Sequence, residues 1–380
     1  MVIKIIKINW VPFFLTCIIF CQNPIWPIWS YGLTISFILT PLIFGYLIII
    51  KNRKFIFTPT QWITIFLSTS VFIIFPLLTN QTSFSSYVTI ISFLIACILT
   101  ESEKIYTVKY VTFLLAIIII ISFPFWFFHA FIAPLPTYNE IDLTSMKGGD
   151  AIMKNHLFFV TFDNYAYERF YSMFDEPGVL GTFAAFVLFA NQYNFKKKYL
   201  MVILIGGIFT YSLAFYVLTL CGYFFHLFKS KRNNFYSNIL LVLFLCLIIF
   251  FIKDDDSFQN ILVERLINID DRVENRSAEV TGFDNYSFID SMFGKGHSFI
   301  SKNYIVGTSY KVFFLVHGIL GAISLFIIYF SLIRHKLIYL YFLLILFFIS
   351  FMQRPEAFTA WQILLYASSL SYIKSIRNKV

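Results

Sequence analysis

The chain has 380 residues, of which 59% are hydrophobic, with a net charge of +9 and a mean hydropathy of +0.77. This composition excludes an ordinary soluble protein, because only about half of the residues in a soluble domain are apolar. It also excludes a basic face that binds nucleic acid, since the positive charge is divided among short clusters that separate long apolar stretches.

The apolar stretches predict an all-α, polytopic membrane protein with about twelve transmembrane helices, because each approaches the ~20 residues that a helix needs to cross a bilayer. The stretch 199–228 is compatible with one long tilted helix or two short ones, and basic residues on both sides of it favour two. We expect residues 1–380 to form a single integral membrane domain. In chain order the predicted helices are 10–24, 30–50, 60–79, 84–100, 108–129, 177–193, 199–210, 213–228, 237–252, 308–333, 337–352 and 358–373.

Short basic clusters between the predicted helices define the expected topology. The positive-inside rule places them, with both termini, in the cytoplasm, so 130–176 and 253–307 are predicted to be two large periplasmic loops. The clusters hold 18 of the 29 Lys and Arg residues, whereas only two of the 20 acidic residues, Glu101 and Glu103, lie on their side. The clusters are Lys4 and Lys7; Lys51, Arg53 and Lys54; Lys104 and Lys109; Lys196, Lys197 and Lys198; Lys229, Lys231 and Arg232; Arg334 and Lys336; and Lys374, Arg377 and Lys379.

The sequence contains no signature of a metal site or cofactor. The five cysteines all lie in apolar stretches, where they behave as small hydrophobic residues and predict no disulfide framework. Asp254, Asp255 and Asp256 are consecutive, so their side chains point in different directions and do not converge on a cation. We therefore expect neither a metal nor an organic cofactor.

The first outer loop ends in a charged segment that runs into a predicted helix. Asp175 and Glu176 precede Pro177, an arrangement that is typical of a helix start and needs no further role. Arg169, seven residues before Glu176, is the stronger functional candidate, because a guanidinium at the outer interface can bind a phosphate group or pair with that acid.

The second outer loop contains a second group of arginines. Apolar residues at helical spacing predict an interfacial helix over 258–280, which would hold Arg265, Arg272 and Arg276 near the lipid headgroups, although each also fits a solvated surface. His297 follows in a glycine-rich turn, where it is a candidate acid–base group or simply solvated. His317, within a predicted helix, is interpreted as a residue that packs or forms an interhelical hydrogen bond.

These residues, taken in order, resemble bacterial O-antigen polymerases of the Wzy type and the related O-antigen ligases. The resemblance covers roughly 165–330, and its motifs are weak singly but moderately specific in their order. It is carried by the pattern Arg169-x6-Glu176-Pro177-Gly178-x2-Gly181, by Arg276 some seventeen residues before Phe293-Gly294-x-Gly296, by Thr308-Ser309-Tyr310, and by Gly318-Ile319-Leu320-Gly321.

The resemblance implies a multi-spanning glycosyltransferase of the C type, acting in lipopolysaccharide biosynthesis at the periplasmic face of a bacterial inner membrane. Its partners would be membrane lipid, an undecaprenyl-pyrophosphate-linked oligosaccharide and a protein that regulates chain length, with no nucleic acid. Pyrophosphate binding is assigned to Arg169 and Arg276, with Arg272 and Arg265 as further candidates. Glu176 or His297 would be the base, and the other outer-face candidates are Asp175, Tyr310, Arg354 and Glu356.

The sequence also departs from this family. Some polymerases separate an arginine from a glycine by ten residues in both outer loops, whereas eleven residues separate Arg169 from Gly181 and nine separate Arg272 from Gly282. Ligases place a histidine directly before the Ser-Tyr region, where this chain has Val306-Gly307-Thr308. A polymerase is thus favoured over a ligase. A flippase or other transporter, or an assembly scaffold, is a further alternative.

Overall fold

The computed structural model describes residues 9–22, 31–54, 56–78, 84–142, 152–162, 169–229, 287–296, 299, 310–353 and 358–378. Most of these residues are helical. The helices are α1 (Trp10–Gln22), α2 (Gly32–Ile49), α3 (Pro59–Thr69), α4 (Phe75–Leu78), α5 (Phe84–Ile98), α6 (Glu101–Phe131), α7 (Pro177–Ala190), α8 (Lys198–Ile208), α9 (Leu213–Lys229), α10 (Phe288–Phe293), α11 (Tyr310–Ser331), α12 (Ile338–Gln353) and α13 (Ala360–Arg377).

Four helical segments in the described part of the chain are long and apolar enough to cross a membrane. They are Gly32–Ile49, Pro59–Leu77, Glu101–Phe131 and Tyr310–Ser331. Other apolar helices, such as α1 with 13 residues and α7 with 14, are shorter. At about 1.5 Å per residue they fall well short of the ~30 Å hydrocarbon thickness unless their ends extend. The fold is therefore that of a mostly helical protein suited to a membrane, while the number of twelve helices stays a prediction.

Two predicted helix boundaries are resolved by the structure. The stretch 199–228 forms two helices, α8 and α9, which confirms the preference for two short helices over one long one. The predicted helix 108–129 instead begins at Glu101, so its predicted start was wrong. The reason is a capping box in which Thr100 accepts from the Glu103 backbone N–H and Glu103 accepts from the Thr100 backbone N–H.

The expectation of an all-α chain missed a small sheet within 130–176. Three short antiparallel strands, β1 (Asn139–Asp142), β2 (Ile152–Asn155) and β3 (Val160–Phe162), pair in the order β1-β2-β3. Strands of three or four residues are too short to show the apolar alternation that identifies a strand in a sequence. The first predicted outer loop therefore contains a three-stranded sheet.

Two helices form the centre of the bundle. Every residue of α7 is buried, as are residues 360–373 of α13. The α13 helix packs against α1, α5 and α6, while α7 packs mainly against α8 and α9. The start of α7 carries the motif Glu176-Pro177-Gly178, so this motif lies against the core of the protein.

The ends of the helices form two chemically different surfaces. At one, which we call the basic end, Arg53 pairs with Glu103 at 3.0 Å, Lys374 pairs with Glu101 at 3.7 Å, and Lys197 donates to the Tyr372 hydroxyl at 3.4 Å. The opposite surface, which we call the loop end, comprises the sheet, 169–176, the 209–212 turn between α8 and α9, and the 293–296 turn after α10.

Candidate functional site

The side chain of Arg169 is buried at the loop end, with 7% of its surface exposed. Its Nε donates to the Thr210 carbonyl at 3.0 Å, and its Nη2 donates to the Tyr211 carbonyl at 3.1 Å. The neighbouring Phe170 N–H donates to the Phe209 carbonyl at 2.9 Å. Both acceptors lie just after α8, which ends at Ile208, so Arg169 supplies donors to backbone carbonyls of the turn that follows this helix. The chain preceding α7 is thereby fastened to the 209–212 turn.

Glu176 lies at the predicted helix start, and the prediction that Pro177 occupies the first turn is confirmed. Glu176 is extended, with φ −142° and ψ 138°, and its carboxylate makes no capping hydrogen bond to α7. The neighbouring Asp175 is half-buried, with a carboxylate oxygen inside the protein. Capping of α7 by the side chain therefore does not explain why a glutamate occupies position 176.

The last glycine of the motif has a packing role. A Cβ atom at Gly181 would lie 2.9 Å from the Ser212 Cβ and 3.0 Å from the Phe215 Cβ. The first distance is shorter than real Cβ atoms show and the second is tighter than most Cβ contacts, so the close approach of α7 to the start of α9 depends on the glycine at residue 181. Arg169 lies before Glu176 in the chain and Gly181 lies after it, and both pack against the 209–212 turn.

A second part of the loop end is built around a break in α11. Gly318 has φ 65° and ψ −175°, which interrupts the helix, and Gly294 has φ 81°. The Lys295 N–H donates to the Leu315 carbonyl at 2.7 Å. A side chain at Gly318 would overlap the Met292 carbonyl, and one at Gly294 would overlap the Val316 carbonyl. The 293–296 turn therefore packs directly against the interrupted helix.

A π-helical segment, Ser70–Ile74, lies beside this break. The ring centroid of Phe72 lies 5.7 Å from that of His317 and 4.5 Å from that of Phe358. The ring centroids of Phe75 and Phe293 are 5.0 Å apart. Irregular backbone within a membrane helix is tolerated where it is covered by protein or lines a cavity, and π segments often mark functional sites. His317 lies among aromatic rings, in agreement with its interpretation as a packing residue.

Sequence reasoning missed this interrupted helix. Hydropathy reports the average polarity of a segment and is not sensitive to a single unusual φ angle. The sequence therefore predicted one uninterrupted transmembrane helix at 308–333. The available signal was the pair Gly318 and Gly321 within one predicted helix.

The start of α13 lies between the two parts of the loop end. The ring centroid of Phe183 lies 6.3 Å from that of Phe174 and 5.6 Å from that of Trp361. Phe358, just before α13, contacts His317 at 5.3 Å. Aromatic contacts of α13 and of the residues just before it therefore reach both the 169–176 segment and the break in α11.

Several predicted site residues are placed by the structure and others are not. Tyr310 is half-buried at the first residue of α11, against the core. The remaining candidates lie outside the described residues, and their roles stay predictions: His297, Arg265, Arg272, Arg276, Arg354 and Glu356. Among the described residues, no group of three or more His, Cys, Asp or Glu side chains is arranged to hold a metal ion.

The sequence did not predict a histidine pair that holds the sheet to the end of α6. The rings of His129 and His156 are 4.4 Å apart, and His156 stacks on Phe159 at 4.6 Å. The Leu135 N–H donates to the His129 Nδ1 at 2.7 Å. These contacts fix the position of the first outer loop on the bundle.

Fold and site together define a mostly helical protein, suited to a membrane, with charged clusters at one end and a segment that contains a small sheet at the other. No model of a known protein family, no curated protein and no solved structure matches this chain.

Proposed function

We propose that this chain is a polysaccharide polymerase of the inner membrane, which transfers a growing glycan from undecaprenyl pyrophosphate onto a lipid-linked repeat unit. In this proposal about twelve helices cross the membrane, both ends of the sequence face the cytoplasm, and the loop end faces the periplasm. The observation that supports it best is the placement of Glu176 between Arg169 and the buried start of α7, at the end opposite the basic clusters.

The opposite placement of the two ends supports the proposed orientation. Basic residues near membrane helices remain on the cytoplasmic side, and Arg53, Lys197 and Lys374 all lie at the basic end. The loop end is then periplasmic, where a polyprenyl-linked glycan would be extended.

The proposed reaction needs a cation for the leaving group and a base for the acceptor. An acceptor hydroxyl oxygen bonds to the anomeric carbon of the donor, the bond from that carbon to the pyrophosphate oxygen breaks, and undecaprenyl pyrophosphate leaves with the bonding electron pair. The Glu176 carboxylate takes the hydroxyl proton, and arginines stabilise the negative charge of the pyrophosphate.

The structure refines how the arginines share this work. Two N–H groups of Arg169 are committed to the 209–212 turn, so Arg169 has a positioning role whether or not it also contacts pyrophosphate. We therefore assign the phosphate contact chiefly to the arginines of the second outer loop, of which Arg276 is the first candidate.

A transporter or flippase is the main alternative from another class. Such proteins place charged residues near the middle of the membrane. In the two longest described helices the charged residues lie near one end, since Lys109 is the deepest of them in α6, as the ninth of 31 residues, and Lys311 is the second residue of α11. The break at Gly318 is a feature that transporters share, but here the 293–296 turn covers it.

Deletion of the coding sequence in the source bacterium tests the proposal. We expect lipopolysaccharide that carries a single repeat unit, because the ligase and the flippase would still act. Loss of every repeat unit would contradict a polymerase and indicate a ligase or flippase, whereas unchanged chain lengths would exclude all three.

A further inference from the structure

A cleft at the basic end, far from the proposed active site, has the features of a ligand site. It opens between the start of α6, the turn between α11 and α12, and the last turns of α13, and its volume is about 20 Å³. Its lining residues are Glu101, Lys104, Leu332, Arg334, His335, Leu340, Ala367, Leu370, Ser371 and Lys374.

The charged residues that line the cleft are mostly cations. Lys104, Arg334 and Lys374 are cations, and Glu101 is the one acidic lining residue. Glu101 pairs with Lys374 at 3.7 Å, so its charge is directed to that lysine. The lining therefore has three cations and one acid, an excess of two positive charges with His335 neutral.

Lys104 is the unusual member of this group. Only 7% of its surface is exposed, yet its Nζ atom is not among the fully buried polar atoms in the described part of the chain that lack a partner. The ammonium group therefore reaches the cleft, and the carboxylates of Glu101 and Glu103 lie close enough to favour its positive charge. A bound anion in the cleft would contact this group directly.

The size and walls of the cleft restrict what that anion is. A cavity of about 20 Å³ accepts roughly one water-sized group, so a phosphate oxygen fits while the rest of the molecule lies outside the cleft. Leu332, Leu340 and Leu370 provide apolar walls next to the cations. This combination matches a phosphodiester that is attached to hydrocarbon, and basic pockets between helix ends on the cytoplasmic side are typical sites for anionic lipid headgroups.

We propose that this cleft binds the phosphate of an anionic membrane phospholipid, with Lys104 and Arg334 as the phosphate-binding residues. The site is independent of glycan transfer and would anchor α6, α11, α12 and α13 to the cytoplasmic leaflet.

The test compares lipid retention by the purified full-length protein and its variants. Each is equilibrated in micelles that contain equal amounts of phosphatidylglycerol and phosphatidylcholine, and bound lipid is measured by mass spectrometry. The native protein should enrich phosphatidylglycerol, and Lys104→Met should reduce that enrichment about fivefold, the effect of one cation near a lipid surface. Lys109→Met is the matched control, because Lys109 lies on the same helix, is exposed and is outside the cleft.

A second variant and a competitor complete the test. Arg334→Gln changes an exposed side chain at the rim, and it should also lower the enrichment about fivefold even if Lys104→Met folds poorly. Excess inorganic phosphate should not displace the lipid. Equal enrichment in Arg334→Gln, Lys109→Met and the native protein would overturn the proposal, and complete displacement by phosphate would show a soluble-anion site instead.

Discussion

The basic end and the loop end are both rich in charge, but they use it differently. At the basic end, charged side chains pair with one another, as Lys374 does with Glu101, whose side chains are 26% and 52% exposed. At the loop end, Arg169 is buried and its charge is used to hold backbone carbonyls. A count of charges in a sequence cannot distinguish these uses, because they depend on the partner that each side chain meets.

This contrast predicts that substitutions at the loop end have larger effects than equivalent substitutions at the basic end. Glu176→Gln should have the largest effect, with chain extension falling about 10²- to 10⁴-fold, because a base in the transition state contributes about that factor. Helix α7 should persist, since Glu176 does not cap it through its side chain. The measurement is the distribution of glycan lengths on a gel.

The control for Glu176→Gln is Glu140→Gln, the same change on an exposed residue of β1 in the same loop. It should extend chains normally. Equal losses in both variants would attribute the effect to the net charge of the loop and not to Glu176.

Gly318→Ala tests the break in α11. The backbone of Gly318 lies in a region that only glycine adopts readily, and a side chain there would overlap the Met292 carbonyl. We expect a destabilisation of about 1–3 kcal/mol, measured as a lower Tm of the purified protein. Gly45→Ala is the matched control, because nothing lies within 4 Å of an added Cβ in α2, and it should be neutral or slightly stabilising. A Gly318→Ala protein as stable as Gly45→Ala would contradict the interrupted helix.

Arg169→Ala tests the connection to the 209–212 turn. It leaves the buried Thr210 carbonyl and the partly buried Tyr211 carbonyl without their donor, and a buried group left unpaired costs about 1–3 kcal/mol. The free energy of unfolding should therefore fall together with chain extension. Arg169→Lys, which keeps the charge but not both hydrogen bonds, should show an intermediate loss, and full stability in either variant would rule out the positioning role.

Glu101→Gln should have the smallest effect. The pair of Glu101 and Lys374 is partly exposed and its atoms are 3.7 Å apart, so its loss should cost less than about 1 kcal/mol. Chain extension should be unchanged, as measured on the same gel. A loss as large as that of Glu176→Gln would show that the two ends do not have separate roles.

The sequence predicted the helices well where hydropathy alone decides the structure. The predicted span 10–24 appears as Trp10–Gln22, and 213–228 appears as Leu213–Lys229. It did not predict features that depend on local geometry or distant contacts. The acceptors of Arg169 lie more than 40 residues further along the chain, and the Gly318 break depends on a turn that begins some 24 residues before it, so no local pattern reveals either contact.

The most direct test of the central claim is a polymerisation assay with the purified protein in liposomes and a synthetic undecaprenyl-pyrophosphate-linked repeat unit as sole substrate. We expect products of two or more repeat units with the native protein and with Glu140→Gln, and almost none with Glu176→Gln. Failure of the native protein to join two units, or normal chain growth by Glu176→Gln, would contradict a polymerase whose active site includes Glu176 at the loop end.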